Sequence, residues 1–434
     1  MKIRVKLSII FPVILFLIPF TGLSKKYAES SDSSILYIQK RKNPEVDKIN
    51  SLIATPVPFD VKVLTETATL HPNICDINKD GYSDIACVKD YVDTSGDDGT
   101  KIKSVGYFTG PAFEFRTIYR MNFRSCEMHV ADIDGDGYED IIGREDSDAD
   151  DTNETGTLFW LRNPGLDKNK TAWWDKHEIG HTSYTKDIWH ADFDLDGRTD
   201  IVARASDGKL HIFIQNTTNG WNQRIISVPL HDGMAVADID NDGDQDIVLN
   251  GLWIETPDLH KKDEWIKHDY APEWYSQKTG ETGKWWDNNT KVTTYDMNGD
   301  GYQDILISQA ESKGWPVCWY ENPSGSGNSG WKQHIVGYMD YCHTLQVADI
   351  DNDGDPDVFC GELIPWDDRR ADPYHPVVIF LNTGNCLRWE RQEIDRHGCY
   401  GGKAGDVDND GDIDLVAPRN YERGPFQIWF NRIK

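Results

Sequence analysis

One ten-residue motif occurs seven times in this chain of 434 residues. The copies read "DINKDGYSDI" from Asp76, "DIDGDGYEDI" from Asp132, "DFDLDGRTDI" from Asp192, "DIDNDGDQDI" from Asp238, "DMNGDGYQDI" from Asp296, "DIDNDGDPDV" from Asp349 and "DVDNDGDIDL" from Asp406. Their starts lie about 46 to 60 residues apart, a spacing typical of propeller blades and similar repeats.

The same segments recur around each copy. A short stretch such as "HVA" precedes the loop and an apolar run such as "DIIG" follows it. Next comes an aromatic run ("TLFWLRN", "LHIFIQN", "PVCWYEN", "VVIFLN"), then a polar alternating one ("DKHEIG", "NQRIIS", "WIKHDY", "RQEID"). Period-two alternation with β-branched and aromatic residues makes these four strands per unit. The expected fold is therefore all-β, a seven-bladed β-propeller. The last unit stops at its third strand, "FQIWFN", while "PFDVKVLT" at residues 58–65 stands alone ahead of the first unit. Pairing the two closes the ring by completing the last blade. An open solenoid is the alternative, and it would leave both edge strands unpaired.

Within D-x-[DN]-x-D-G-x-x-D, side-chain oxygens at positions one, three, five and nine and a backbone carbonyl at seven can surround a hard cation. Glycine after position five permits the sharp turn. The expected ligands are Asp76, Asn78, Asp80 and Asp84 in the first copy, and Asp132, Asp134, Asp136 and Asp140 in the second. They continue as Asp192, Asp194, Asp196 and Asp200, then Asp238, Asp240, Asp242 and Asp246, then Asp296, Asn298, Asp300 and Asp304. The last two sets are Asp349, Asp351, Asp353 and Asp357, and Asp406, Asp408, Asp410 and Asp414. An EF-hand begins similarly but needs flanking helices and a Glu at position twelve, whereas strands flank every loop here. The loops are expected to hold several structural Ca²⁺ ions, more weakly where Asn78 and Asn298 replace Asp. The arrangement resembles FG-GAP or VCBS repeats, known from integrin-type propellers and many bacterial exported proteins. That resemblance covers nearly all of the chain beyond its N-terminal segment.

A formal charge of -28 argues against nucleic acid and anionic lipid as partners, and seven divalent ions would offset half of it. Residues 1–24 have the basic, apolar, then small and polar order of a secretory signal, with no Cys for a lipobox. A membrane anchor is the other reading of this run, which is short for spanning and broken by Pro12 and Pro19. The expected division is a signal peptide at 1–24, an extension at 25–57 and one propeller domain at 58–434, giving a secreted or periplasmic monomer. The eight cysteines form no compact framework, and Cys75 and Cys87 sit where other repeats have Ala, so small buried residues and disulfides are both open. "HEIGH", His177 to His181, matches a zinc-protease motif but aligns with fourth strands, where residues four apart do not converge. No G-x-S-x-G elbow appears, and no G-x-G-x-x-G follows a strand into a helix.

Strand direction puts the Asp loops on one face and the starts of the innermost strands on the other, at the mouth of the central channel. The innermost starts are His71, Glu127, Asp187, Asp232, Lys291, His343 and the run Tyr400 to Lys403. The second strands end at Lys89, Arg144, Arg204, Asn250, Gln309, Glu362 and Arg419. Lys89, Arg144, Arg204, Lys403 and Arg419 are thus expected to converge on an anion pocket. His129 precedes the second Asp loop on the same strand. Two insertions also fall on this face, one with Trp274, Tyr275, Trp285 and Trp286 and one that begins at Glu362. Aromatic rings stack on sugars and Arg pairs with carboxylates, so an acidic oligo- or polysaccharide is the expected partner.

Arg, His and Tyr around a uronate suit β-elimination, in which a cation steadies the carboxylate while a base removes the C5 proton. Here the chain resembles propeller-fold polysaccharide lyases, especially L-rhamnose-α-1,4-D-glucuronate lyases that trim arabinogalactan side chains; ulvan lyases are a second such group. The resemblance implies that Arg144 and Arg204 neutralise the carboxylate and that His71, with Tyr400 or His343, moves protons, with His129 in reserve. Lys89, Lys403, Arg419, Trp274, Trp285 and Glu362 would bind substrate. Two other classes remain open: a non-catalytic, calcium-stabilised carbohydrate- or protein-binding propeller of adhesin or lectin type, and a glycoside hydrolase using two of Glu127, Asp187 and Glu362.

Overall fold

The computed structural model describes residues 56–92, 101–121, 128–146, 156–165, 173–230, 232–259, 261, 264–276, 289–324, 330–365, 368, 374–421 and 423–433. The signal and most of the extension, as well as Glu127, Trp285 and Trp286, lie outside these residues.

Seven four-stranded antiparallel sheets form, one per Asp loop. Numbering strands outward from the channel, the innermost are Thr69–Cys75, Met128–Ala131, Thr185–Ala191, Met234–Ala237, Thr290–Tyr295, Cys342–Ala348 and Lys403–Gly405 in blades 1 to 7. Each Asp loop joins a first strand to a second strand that opens on the ninth-position Asp, as in Asp140–Asp146 and Asp200–Ala205. Blade 7 takes its outer strand from the N-terminal side. Phe59–Thr65 pairs antiparallel with Arg423–Asn431, in register from Phe59 opposite Asn431 to Lys62 opposite Ile428. Packing reinforces this closure, because Ile85, Cys87 and Phe108 of blade 1 share a buried cluster with Val416, Phe426 and Ile428 of blade 7.

The core lies between blades. Ile142 and Trp160 of blade 2 pack on Ile188, Ala203 and Phe213 of blade 3, and equivalent clusters follow around the ring. Trp160, Trp253 and Trp319 occupy the same place on the third strands and, like Trp429 one position further along its own, are fully buried. On three of them a fourth-strand histidine stacks: His177 on Trp160 at 4.5 Å, His268 on Trp253 at 4.2 Å and His334 on Trp319 at 4.2 Å. "HEIGH" is thus strand Asp175–Thr182, with His177 committed to its tryptophan. Cys75, Cys87, Cys318, Cys342, Cys360, Cys386 and Cys399 are free thiols, all but Cys75 buried, which settles them as small core residues. No helix among the described residues is long and apolar enough to cross a membrane.

Candidate functional site: acidic loops on one face, a cationic channel through the ring

The loops close on their own first residue. In blade 2 both oxygens of Asp132 accept backbone N–H groups, from Gly135 and Asp136 on one and Gly137 on the other, at 2.8, 3.1 and 2.8 Å. Position four adopts a left-handed backbone in every copy, from Lys79 (φ 56°) through Leu195 (φ 57°) to Asn409 (φ 61°), and so does the glycine at position six. A Cβ on those seven glycines would meet nothing within 4 Å, so backbone conformation and not space demands glycine there.

The ninth-position Asp has a role that the ligand reading missed. Asp140, Asp200, Asp246, Asp304, Asp357 and Asp414 are fully buried. One oxygen of Asp140 accepts the N–H of Ile133 (3.0 Å) and the other that of Asn163 at the end of the third strand (2.7 Å). The pattern repeats, for example in Asp304 with Met297 and Asn322 at 3.0 and 2.7 Å. Each such carboxylate ties the Asp loop to the neighbouring turn. Burial, opposed by these N–H bonds, pushes the Asp140 carboxyl up to about 8 and that of Asp200 to about 7.

Five loops bring three carboxylates together with ligand oxygens within 4.8 Å of one another: Asp132, Asp134 and Asp136; Asp192, Asp194 and Asp200; Asp238, Asp240 and Asp246; Asp349, Asp351 and Asp353; Asp406, Asp408 and Asp414. Such clusters can coordinate a divalent cation. The loops with Asn78 and Asn298 form no such carboxylate trio among the described residues. Three loops already hold a cationic side chain, and in blade 3 Arg198 pairs with Asp196. Arg162 bridges Asp134 and Asp136, and Arg432 reaches Asp408 and Asp410 at 3.0 and 3.3 Å.

All seven blades contribute to a cavity of about 160 Å³ in the channel, lined among others by His71, His129, Asp187, Met234, Lys291, His343, Tyr400 and Lys403. Its volume falls below the roughly 300–1,000 Å³ of ordinary small-molecule pockets. His71 sits at a strand irregularity with φ 53°, and its carbonyl accepts the Asn73 amide at 3.0 Å. The His343 ring stacks on Tyr400 at 4.0 Å, and its Nδ1 is buried without a hydrogen bond. Burial, and after it Lys291, Lys186 and His71, hold this imidazole well below its usual range. His129 and His190 face each other through Nδ1 atoms 3.2 Å apart. Asp187 accepts the Gly233 N–H at 2.9 Å, and Asp232 pairs with Lys186 at 3.3 Å.

The second-strand ends do not reach this cavity. Arg204 is fully buried and donates to the carbonyls of Gly233 and Pro229 and to Asn250 Oδ1, at 2.5, 3.1 and 2.6 Å. Arg144, also fully buried, donates to Thr182 Oγ1 at 3.2 Å and lies 5.8 Å from the Tyr184 ring, in space left open by Gly156. The Lys89 ammonium lies over Phe115, and Arg419 donates to the His397 carbonyl at 2.8 Å. Glu362 is buried against His375 at 3.4 Å. Trp274 is buried too, its indole N–H donated to Tyr320 at 2.9 Å, so it packs its insertion instead of offering a sugar platform. Of the five converging cations only Lys403 lines the channel, with Lys291, Tyr400 and three histidines.

A model of the FG-GAP-like repeat matches residues 192–249 and 296–360. Together with the seven sheets and their loops, this makes the chain a seven-bladed β-propeller built on FG-GAP-like repeats. Among curated proteins it is similar to cartilage acidic protein 1 of Xenopus tropicalis, 25% identical over 203 residues, 44% of this chain and 30% of the relative. The Homo sapiens protein of the same name is 25% identical over 202 residues, with the same coverage. The chain thus spans about a third of the length of the curated relatives it matches. Among solved structures, an ancestral GH74 enzyme aligns with TM-score 0.50 and 10% identity over 85% of this chain and 49% of that one, a likeness of fold alone.

These findings overturn the expectation of a uronate lyase acting on rhamnose-capped glucuronate. Sequence similarity leads to cartilage acidic protein 1, and the two arginines meant to neutralise a substrate carboxylate are engaged inside the blade walls. A hydrolase pair is not supported either, because Asp187 is the single carboxylate among the described residues lining the cavity.

Proposed function

We propose that this chain is an exported, non-catalytic binding propeller whose Asp loops are held by Ca²⁺ and whose channel-mouth face engages a carbohydrate or protein partner. The observation that carries this reading is the set of carboxylate trios on one face. Within them Oδ1 of Asp134, Asp194, Asp349, Asp406 and Asp408 is buried without a hydrogen bond. Hard oxygens crowded in this way suit Ca²⁺, and an ion would supply the charge that the loops lack. Export rests on the basic and apolar run at residues 1–24.

Calorimetric melting in EDTA, then with calcium or magnesium restored, tests the metal. Calcium is expected to raise Tm well above the chelated value and magnesium to do so less; identical melts in all three conditions would remove the calcium assignment. Incubation with acidic polysaccharides is expected to give retention on the matrix without new reducing ends or unsaturated products. Turnover of any of them would reject the non-catalytic reading.

A further inference from the structure

We propose that the Asp loop of blade 5 is a self-modification site, at which the backbone nitrogen of Gly299 displaces the side-chain amide of Asn298 with the assistance of Asp296. This deamidation belongs to the metal-free loop, so it stands or falls separately from the calcium assignment above.

Blade 5 alone joins an asparagine at position three of the loop to a glycine at position four. Blades 2, 3, 4, 6 and 7 have Asp at position three, and blade 1 follows Asn78 with Lys79. Two other Asn–Gly pairs occur in the chain. Asn250 is fully buried, with its Oδ1 held by Arg204, and Asn219 lies in the hairpin turn of blade 3, outside any Asp loop. Asn298 and Gly299 are both exposed, so water reaches them. A glycine nitrogen carries the least steric hindrance, and a Cβ on Gly299 would meet nothing within 4 Å, which leaves the approach open.

Hydrogen bonds arrange the reacting atoms. The Gly299 N–H donates to Asp296 Oδ1 at 2.8 Å, which places a carboxylate on the proton that the nucleophile must lose. The Asp300 N–H donates to Asn298 Oδ1 at 2.9 Å, where negative charge develops as the amide carbon is attacked. Asn298 Nδ2 in turn donates to Asp300 Oδ2 at 3.0 Å. In the first step the bond from Gly299 N to Asn298 Cγ forms and the Cγ–Nδ2 bond breaks. The side-chain nitrogen leaves as ammonia, carrying the proton that Gly299 gave up. Water then adds to either carbonyl of the cyclic imide and opens it, leaving an aspartyl or isoaspartyl residue at position 298. The first product gives blade 5 the carboxylate that five other blades carry at position three; the second lengthens the backbone by a methylene inside the turn.

The test ages the full chain in EDTA at mildly alkaline pH and follows each asparagine by peptide mapping and mass spectrometry. The Asn298 peptide is expected to convert several-fold faster than the Asn78 peptide, whose amide oxygen accepts the Asp80 N–H at the same 2.9 Å but which precedes Lys79. Asp296→Asn should slow conversion at Asn298 by about tenfold or more and leave Asn219 unchanged. Gly299→Lys copies blade 1, where Lys79 adopts φ 56° at the same position, and should bring Asn298 down to the rate of Asn78. Unfolding the wild-type chain in urea separates the loop from its sequence, because Asn219 and Asn298 then share the same Asn–Gly chemistry. The ratio of the Asn298 rate to the Asn219 rate should fall on unfolding. Equal rates at Asn298 and Asn78 in the folded chain overturn the site. A ratio that stays the same or rises in urea overturns the assistance by Asp296, whatever Asp296→Asn does to the Tm.

Discussion

The side-chain amide of Asn431 in blade 7 donates to the carbonyl of Ile350, 2.7 Å away in the Asp loop of blade 6. The contact recurs around the ring, from Asn163 to Ile77 at 3.0 Å, Gln215 to Ile133 at 3.0 Å and Asn322 to Ile239 at 2.8 Å. In each case the amide ends a third strand and meets the second residue of the preceding loop. Blades are thus joined by directed hydrogen bonds as well as by apolar packing.

Asn322→Ala should therefore cost about 1–3 kcal/mol, because it leaves the buried Ile239 carbonyl and the half-buried Gln303 carbonyl without this donor. Urea unfolding measures it, and Asn216→Ala, at an exposed position beside Gln215 of blade 3, serves as the near-neutral control.

Arg204→Ala should destabilise the fold by about 3–5 kcal/mol, since the guanidinium satisfies three acceptors between blades 3 and 4. A variant that melts like wild type while losing ligand binding would contradict this structural role and return Arg204 to the binding surface.

Arg162→Met should separate charge neutralisation by protein from neutralisation by metal in blade 2. With the guanidinium gone, Asp134 and Asp136 repel each other unless a cation replaces it. The variant is expected to be less stable than wild type in EDTA and to recover most of the difference in calcium. A deficit of the same size in both buffers would show that no cation takes the place of the arginine.

His343 sets a pH dependence whose sign follows from its surroundings. Its folded-state pKa lies below the unfolded value of about 6.5, so the unfolded chain binds the extra proton first as pH falls. Its contribution to stability is then present above about pH 6.5 and is lost below it. His343→Phe keeps a ring against Tyr400 but cannot titrate, so its Tm should fall less than that of wild type between pH 7 and pH 5.

The architecture was legible because the motif marks every blade at one position, and because "FQIWFN" and "PFDVKVLT" are complementary halves of a sheet. Arg144 and Arg204 misled because strand register fixes the height of a residue along the blade, not its distance from the axis. A second strand stands about 4.8 Å behind the first, so its terminal side chains meet the blade wall. Lys291 and Tyr400 belong to or border innermost strands and reach the cavity. Trp274 shows the same limit, because the sequence of an insertion says nothing of which ring turns inward. The amide in blades 2 and 5 was in plain view as the final Asn of "TLFWLRN" and "PVCWYEN", but a partner in another blade leaves no local pattern.

The strand Phe59–Thr65 also sets an order of assembly. Asp60 meets Arg432 across 372 residues of chain, so the first of the described strands to be made is among the last to find its partner. Until blade 7 is made, that segment is an unpaired β-edge, and the ring cannot lock while synthesis continues. Under the export proposed above, this delay would let the polypeptide be threaded through a translocase before Phe59–Thr65 meets blade 7.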